Sequence, residues 1–366
     1  MIDTTLADLS LRITDGKHGD CRDCANSGFY FISCKDVNDG QIIYENARQI
    51  YEEDFFDAHK RTRLEPDDIL VTNSGTIGRM AFIEDVPATY RTTFQKSVAI
   101  VKPDKERVLP QYLYYQLQNC VDGFVHQSNG SAQKNLLLST MRAFTMRIHE
   151  NMEEQLRIAS ILAAYDNLIK NNRKQIKLLE EAAQRLYKEW FVDLRFPGHE
   201  TTPIVDGVPE GWTWGTLADI AVFKRGKTIT RDQVNEGIIP VVAGGLEPAY
   251  FHDTSNTDAP VVTVSGSGAN AGFTRMYHTK VWASDCSYID VATTDNIAWV
   301  YCFLKGNKAS IDAMQKGAAQ PHVYAKDLNA MKALFPDDKL MERFREIAEP
   351  MFFANRKARH ADKVSC

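Results

Sequence analysis

The chemistry on offer in this chain lies in two sets of basic and amide side chains, spaced alike in its two halves. The first half carries Lys17, His18, Lys60, Arg61, Arg63, Arg79, Lys96 and Lys134, with Ser74, Thr76, Gln95 and Gln133 beside them. The second carries Lys224, Arg225, Lys227, Arg231, Arg275 and His322, with Thr228, Ser265, Ser267, Asn270 and Gln320. Lysine and arginine hold phosphates; arginine, asparagine and glutamine can also read base edges through paired hydrogen bonds. Taken singly, any one of these residues reads as solvated surface. Taken together they ask for more, because the basic turns fall at equivalent places in both halves.

Catalytic patterns are tested and set aside. Gly266 to Ala271 (GSGANA) follows a strand and imitates a dinucleotide fingerprint, but the next residues read as strand, not as the helix that would hold a pyrophosphate. A tight turn is the simpler reading. Ala221 to Thr228 (AVFKRGKT) imitates a phosphate loop, with alanine where the first glycine belongs and no helix pattern after it. Cys21 and Cys24, with His18 and Cys34 near, make half of a zinc pattern that no second pair completes, so no metal is expected. No Ser/His/Asp order, HExxH or Asn-Pro-Pro-aromatic motif is present, and no catalytic group is expected.

An internal repeat sets the elements that must position the candidates. TLAD occurs at Thr5 to Asp8 and at Thr216 to Asp219; Gly16-Lys17 matches Gly226-Lys227. Ile69 to Gly78 (ILVTNSGTIG) matches Val261 to Gly272 (VVTVSGSGANAG), and GSAQ ending at Gln133 matches GAAQ ending at Gln320. In each copy the pattern predicts a first strand (Leu6 to Ile13; Leu217 to Phe223) and a buried strand running into a Ser/Gly loop. A helix (Leu109 to Asn119; Asp295 to Gly306) and a last strand follow.

Between the copies, Asn151 to Phe191 reads as one helix of roughly 60 Å. Its apolar seam runs through Ile158, Leu162, Tyr165, Ile169, Asn172, Ile176 and Leu179 at alternating four- and three-residue steps. A shorter second helix would face it with Ala348, Met351 and Asn355. That helix contains Pro350 and the chain stops at Cys366, so Leu186, Tyr187, Trp190 and Phe191 are expected to cover a globule or to dock a partner subunit. The domains expected are 1–150, a helix over 151–195, a linker and second globule over 196–338, and a short helix over 339–366.

Bulk properties narrow the classes. With 366 residues, 44% of them hydrophobic, the chain has room for two or three domains. A net charge of −5 argues against a protein that coats nucleic acid indiscriminately, not against a specific reader. Seven scattered cysteines and no apolar run of membrane length predict a cytoplasmic protein without a membrane partner.

The order of parts resembles the specificity subunit of Type I restriction–modification systems, the HsdS family. Gln155 to Phe196 carries the likeness most strongly: the IASIL start, the Asp-x-x-Ile core, Asn-Arg and the WFVD end. Leu6 to Asp20, Arg63 to Gly78 and Val208 to Ile220 resemble family blocks in the expected places, although the first copy lacks the Pro-x-Gly-Trp lead-in of Pro209 to Trp212. The resemblance implies an α+β chain of two similar mixed α/β target recognition domains, held apart by a long antiparallel helix pair. It implies double-stranded DNA as ligand, two modification (methyltransferase) subunits and two restriction/translocase subunits as partners. The chain itself would hold no cofactor; S-adenosylmethionine, Mg and ATP would belong to the partners. The alternatives are a coiled-coil protein that homodimerises through the seam and a nucleotide-binding enzyme built on the Gly loop.

Overall fold

The computed structural model describes residues 1–128, 134–315 and 321–363, with side chains as far as Phe352. The chain divides into two compact units, Met1–Asn167 and Leu168–Cys366. The helices are therefore not bodies of their own: each unit owns part of the long helix.

In the first unit a four-stranded sheet is built on Ile69–Thr72, an apolar, β-branched run in which every residue is buried. Such a run belongs in the middle of a covered sheet, not at its edge. The strand order is Ser10–Asp15, Val98–Pro103, Ile69–Thr72, Met80–Phe82, each pair antiparallel. Tyr30–Ile32 pairs in parallel with Thr92–Phe94, and Ile2–Thr5 pairs antiparallel with Thr145–Ile148. The helices are α1 (Glu52–Thr62), α2 (Pro110–Asn119), α3 (Val121–His126), α4 (Leu138–Ala143) and α5 (Met152–Tyr187). α5 continues into a π turn, Lys188–Val192.

The second unit repeats this plan. Its sheet runs Lys224–Arg225, Cys286–Asp290, Val261–Ser265, Thr274–Tyr277, again antiparallel. Ile239–Val242 pairs in parallel with Trp282–Ala283, and Thr213–Thr216 antiparallel with Lys332–Phe335. Helices α6 (Ile297–Gly306), α7 (Lys308–Ala313), α8 (Ala325–Asn329) and α9 (Asp338–Lys363) stand where α2 to α5 stand in the first copy. Between the matched strands, where the first copy has α1, the second has the strand Tyr250–His252.

The apolar pattern predicts a strand opening at each TLAD, at Leu6 and at Leu217, and neither copy forms it there. In the second copy Leu217–Asp219 is a 3-10 turn. The cause is local capping: the amide and hydroxyl of Thr216 donate to Asp219 at 2.7 and 3.2 Å, as those of Thr5 donate to Asp8 at 3.3 and 2.6 Å. The strands then start later, at Ser10 and Lys224.

The long seam is also redistributed. At the start of α5 the face turned to the first core is Gln155, Ile158 and Ala159, with Asp166 accepting from the Tyr115 hydroxyl at 2.8 Å. Leu162 and Tyr165, expected in the seam, are 39% and 56% exposed. Ile169, Asn172, Ile176 and Leu179 are half-buried. Tyr187, Trp190 and Phe191 are buried among Phe344, Trp299 and Trp212 of their own unit, with Leu186 packed against them. They are core, so they do not form the docking patch expected for a partner subunit. Within the second unit the end of α5 meets Phe344 near the start of α9, the antiparallel order, and Ala348 is buried while Met351 is half-buried. The side chain of Asn355 lies outside the described residues.

Gln155 and its counterpart Phe344 are both fully buried. Gln155 uses its burial: Oε1 accepts from the Leu109 amide, ahead of α2, and Nε2 donates to the His149 carbonyl, both at 2.8 Å. Gln155→Leu keeps the volume and strands both backbone groups, so it should lower stability by about 1–3 kcal/mol, read as a fall in the urea midpoint.

Candidate nucleic-acid interface

Three segments converge on one end of each four-stranded sheet. The first is the turn after the first strand, where Gly16 donates to the Val98 carbonyl at 3.1 Å and Lys17 to Phe94 at 2.8 Å. The second is the Ser/Gly loop, where Asn73 donates to Ser97 at 3.1 Å. The third begins at Lys134: Gly75 donates to the Lys134 carbonyl at 3.2 Å, and Leu136 to Asn73 at 2.8 Å. The second unit makes the same five bonds from Gly226 to Cys286, Lys227 to Ala283, Gly266 to Asp285, Gly268 to Pro321 and Val323 to Gly266, at 2.8 to 3.1 Å. The bridge of Ser74 with Asn135 recurs as Ser267 with His322.

The turn can close only because its glycine has no Cβ. A Cβ on Gly16 would lie 2.0 Å from the Phe94 oxygen, and one on Gly226 would lie 2.3 Å from the Ser284 oxygen. Between the segments a cavity remains: about 660 Å³ in the first unit, beside Asp15, His18, Asn73, Ser74, Lys96 and Asn135, and about 230 Å³ in the second, beside Arg225, Asp285, His322, Tyr324 and Lys326.

In the first unit most of the expected basic residues gather here, several already paired. Lys17 is 2.9 Å from Asp57, which raises the ammonium pKa and lowers that of the carboxyl. His18 Nε2 lies 2.9 Å from Asp15, and Arg61 Nη2 donates to the same carboxylate at 2.6 Å. Lys60 and Arg63 are exposed on and just after α1; Thr76, Arg79, Lys96 and Lys134 are exposed, and Gln95, bridged to Lys17, is half-buried. Gln133 and Gln320 lie outside the described residues.

The second unit divides its candidates. Lys224, Arg225, Lys227, Thr228 and Arg231 are exposed on the turn, with Lys227 6.0 Å from the Trp282 ring centre. His322 stacks on Tyr324 at 5.8 Å. Ser265, Asn270 and Arg275 are spent on packing, contrary to their expected place in a reading surface. The Ser265 hydroxyl and Asn270 amide donate to the Gly244 carbonyl at 3.2 and 3.4 Å; Arg275 donates to Leu246 at 2.7 Å and lies over Tyr277. Ser265 is buried and Asn270 and Arg275 half-buried, and the Gly244–Glu247 loop supplies the carbonyls that all three meet. Ser267 donates to Asp285. Sequence reasoning missed Asp15, Asn73, Asn135, Asp285, Tyr324 and Lys326, because it searched for cations. The repeat held the signal, since these positions flank the matched glycines and loops. Cys21, half of the possible metal pair, packs with Phe31, Ile50 and Phe55.

Comparison with known proteins agrees with this plan. The family model for the Type I restriction modification DNA specificity domain matches residues 19–181. The Type I restriction enzyme MjaIX specificity subunit of Methanocaldococcus jannaschii is 24% identical over 311 residues, 78% of this chain and 70% of that one. A putative type I specificity subunit of Mycoplasma genitalium is 24% identical over 255 residues, 68% of this chain and 64% of the relative. The crystal structure of a Type I restriction–modification S subunit from M. genitalium has the same fold: TM-score 0.57 at 16% identity, covering 99% of this chain and 91% of that one. Residues 19–181 are thus similar to Type I restriction modification DNA specificity domains, and the chain shares its fold with an S subunit of that kind.

α1, which carries Lys60 and Arg61, is anchored by Phe55, buried among Cys21, Phe31 and Ile50, and on the same helix His59 stacks on Phe55 at 4.8 Å. Burial holds the His59 imidazole below its ordinary pKa, with a backbone hydrogen bond to Thr92 acting the other way. Below about pH 6.5 the unfolded chain then binds the proton better than the folded one, so stability is lost as pH falls through that value. The wild type should lose more melting temperature between pH 7.5 and pH 5.5 than His59→Phe.

Proposed function

We propose that this chain is the DNA-recognition subunit of a Type I restriction–modification complex, each unit reading one half of a bipartite double-stranded target. The observation that supports this best is the duplication of the three-segment site: the same backbone bonds hold two different sets of side chains at the same end of two like sheets. That is what one frame used to read two sequences requires. Exposed lysines such as Lys96, Lys134, Lys224 and Lys227 supply phosphate contacts that set register, and the arginines and amides read base edges. Two modification subunits, carrying S-adenosylmethionine, and two restriction/translocase subunits, using Mg and ATP, are the partners. The chain itself contributes no catalytic group and works in the cytoplasm. α5 and α9 act as spacer and as docking site for the modification subunits. With Tyr187, Trp190 and Phe191 buried, the apolar residues offered for docking are the exposed ones along α5, among them Leu156, Ile161, Tyr165 and Leu178.

Selection from random-sequence duplexes by the chain with its modification subunit, followed by methylation mapping, tests this. The expected product is two fixed half-sites separated by an unread spacer of constant length; no enriched sequence would refute the reading. Four residues inserted near Lys174 lengthen the helix by about 6 Å, close to two base pairs. The spacer should grow by one or two base pairs with both half-sites unchanged. An altered half-site would contradict the spacer role.

A further inference from the structure

Asp15 and Arg225 occupy the same place in the two copies. Each ends the first strand of its sheet, directly before the glycine that closes the turn, and each borders its cavity. Each is half of a guanidinium–carboxylate pair, with the charges exchanged. In the first unit the carboxylate is on the strand and the guanidinium, Arg61, comes from α1, at 2.6 Å. In the second the guanidinium is on the strand and the carboxylate, Asp285, precedes the neighbouring strand, at 3.8 Å.

The bonds decide which edge of Arg61 is free. Nε donates to the Asp15 carbonyl at 3.1 Å and Nη2 to its carboxylate, so the side-on edge is occupied. The end-on edge, Nη1 with the remaining Nη2 hydrogen, offers two parallel donors on a side chain 46% exposed, while that of Asp15 is 11% exposed. Two parallel donors match the O6 and N7 acceptors that guanine presents in the major groove. A phosphate is the poorer partner. It needs no such aiming, and the carboxylate beside the guanidinium repels an anion while leaving a neutral base edge unopposed. Arg225 is freer, 69% exposed, and is restrained by Asp285, which also accepts from Ser267.

We infer that Arg61 and Arg225 each read a guanine, one in each half-site, and that Asp15 and Asp285 are positioning residues that aim them. This rests on the DNA-reading function proposed above. The test is the duplex selection, run with the full chain and its modification subunit, for wild type, Arg61→Ala, Arg61→Lys, Arg225→Ala and Asp15→Asn, each checked for an unchanged melting profile. Arg61→Ala should flatten one G·C column of one half-site, with discrimination there falling about 5- to 150-fold, and leave the other half intact. Arg225→Ala should do the same in the other half. Arg61→Lys keeps the charge but loses the fork, so it should flatten the same column at unchanged salt dependence. Asp15→Asn should weaken that column while raising affinity for all duplexes alike, which loss of structure alone would not do. The inference is overturned if Arg61→Ala and Arg61→Lys weaken all sequences equally, if the flattened column is A·T, or if no column changes. A wild type that selects no sequence overturns this inference and the proposed function together; a bipartite selection untouched by the variants overturns this inference alone.

Discussion

The recognition end of each unit depends on a backbone contact that no side chain may enter. At Gly16 and Gly226 the turn lies so close to the carbonyl oxygens of the next segment that even a methyl group would overlap them. That approach lets the following lysine amide, Lys17 or Lys227, bond to Phe94 or Ala283. It also draws the turn, the Ser/Gly loop and the segment after Lys134 or Pro321 onto one another. Their backbone donors are satisfied by the frame itself, so the side chains at the rim are free to vary without disturbing the fold.

The two copies use that freedom differently. One places a helix, α1, beside the turn, and the other a single strand, Tyr250–His252. α1 brings Asp57 and Arg61, and with them two ion pairs across to the turn residues Lys17 and Asp15. Among its described residues the second copy has no such helix, and its turn cations Lys224, Lys227 and Arg231 are exposed. A larger electrostatic share of binding should therefore fall to the second unit, because a cation already paired gains less from a phosphate. The cores show the same division of shared plan and local solution: Gln155 and Phe344 fill equivalent buried positions, one by two hydrogen bonds and the other by stacking on Tyr187, Trp190 and Phe191.

Much of this plan was legible in the chain. The ordered repeat anticipated two like globules, and continuous β-branched runs marked the central strands at Ile69 and Val261, because burial on both faces leaves no alternation. What misled were places where local hydrogen bonding overrode periodicity. TLAD looked like a strand start because its leucines are apolar, yet the Thr–Asp pair turns it into a cap. The heptad seam kept its spacing through Leu162 and Tyr165, yet the first core takes the face of Gln155 and Ala159, since Gln155 must reach Leu109. LYKEWF reads as an apolar segment that covers either a globule or a partner subunit; its aromatics cover their own globule, against Trp299 of α6 and Phe344 of α9, which are distant in sequence. Of the site, the cations were visible and their carboxylate partners were not, because pairings over tens of residues, such as Asp15 with Arg61, leave no local pattern.

The central claim is that one frame is used twice, each copy reading on its own. It is tested most directly by a chain whose second globule, 209–338, is replaced by a second copy of the first, 1–150, assembled with the modification subunit and mapped by methylation sequencing. The account predicts a target made of the first half-site twice, with the original second half-site gone. Retention of the original second half-site, or a new sequence unrelated to either half, would contradict it.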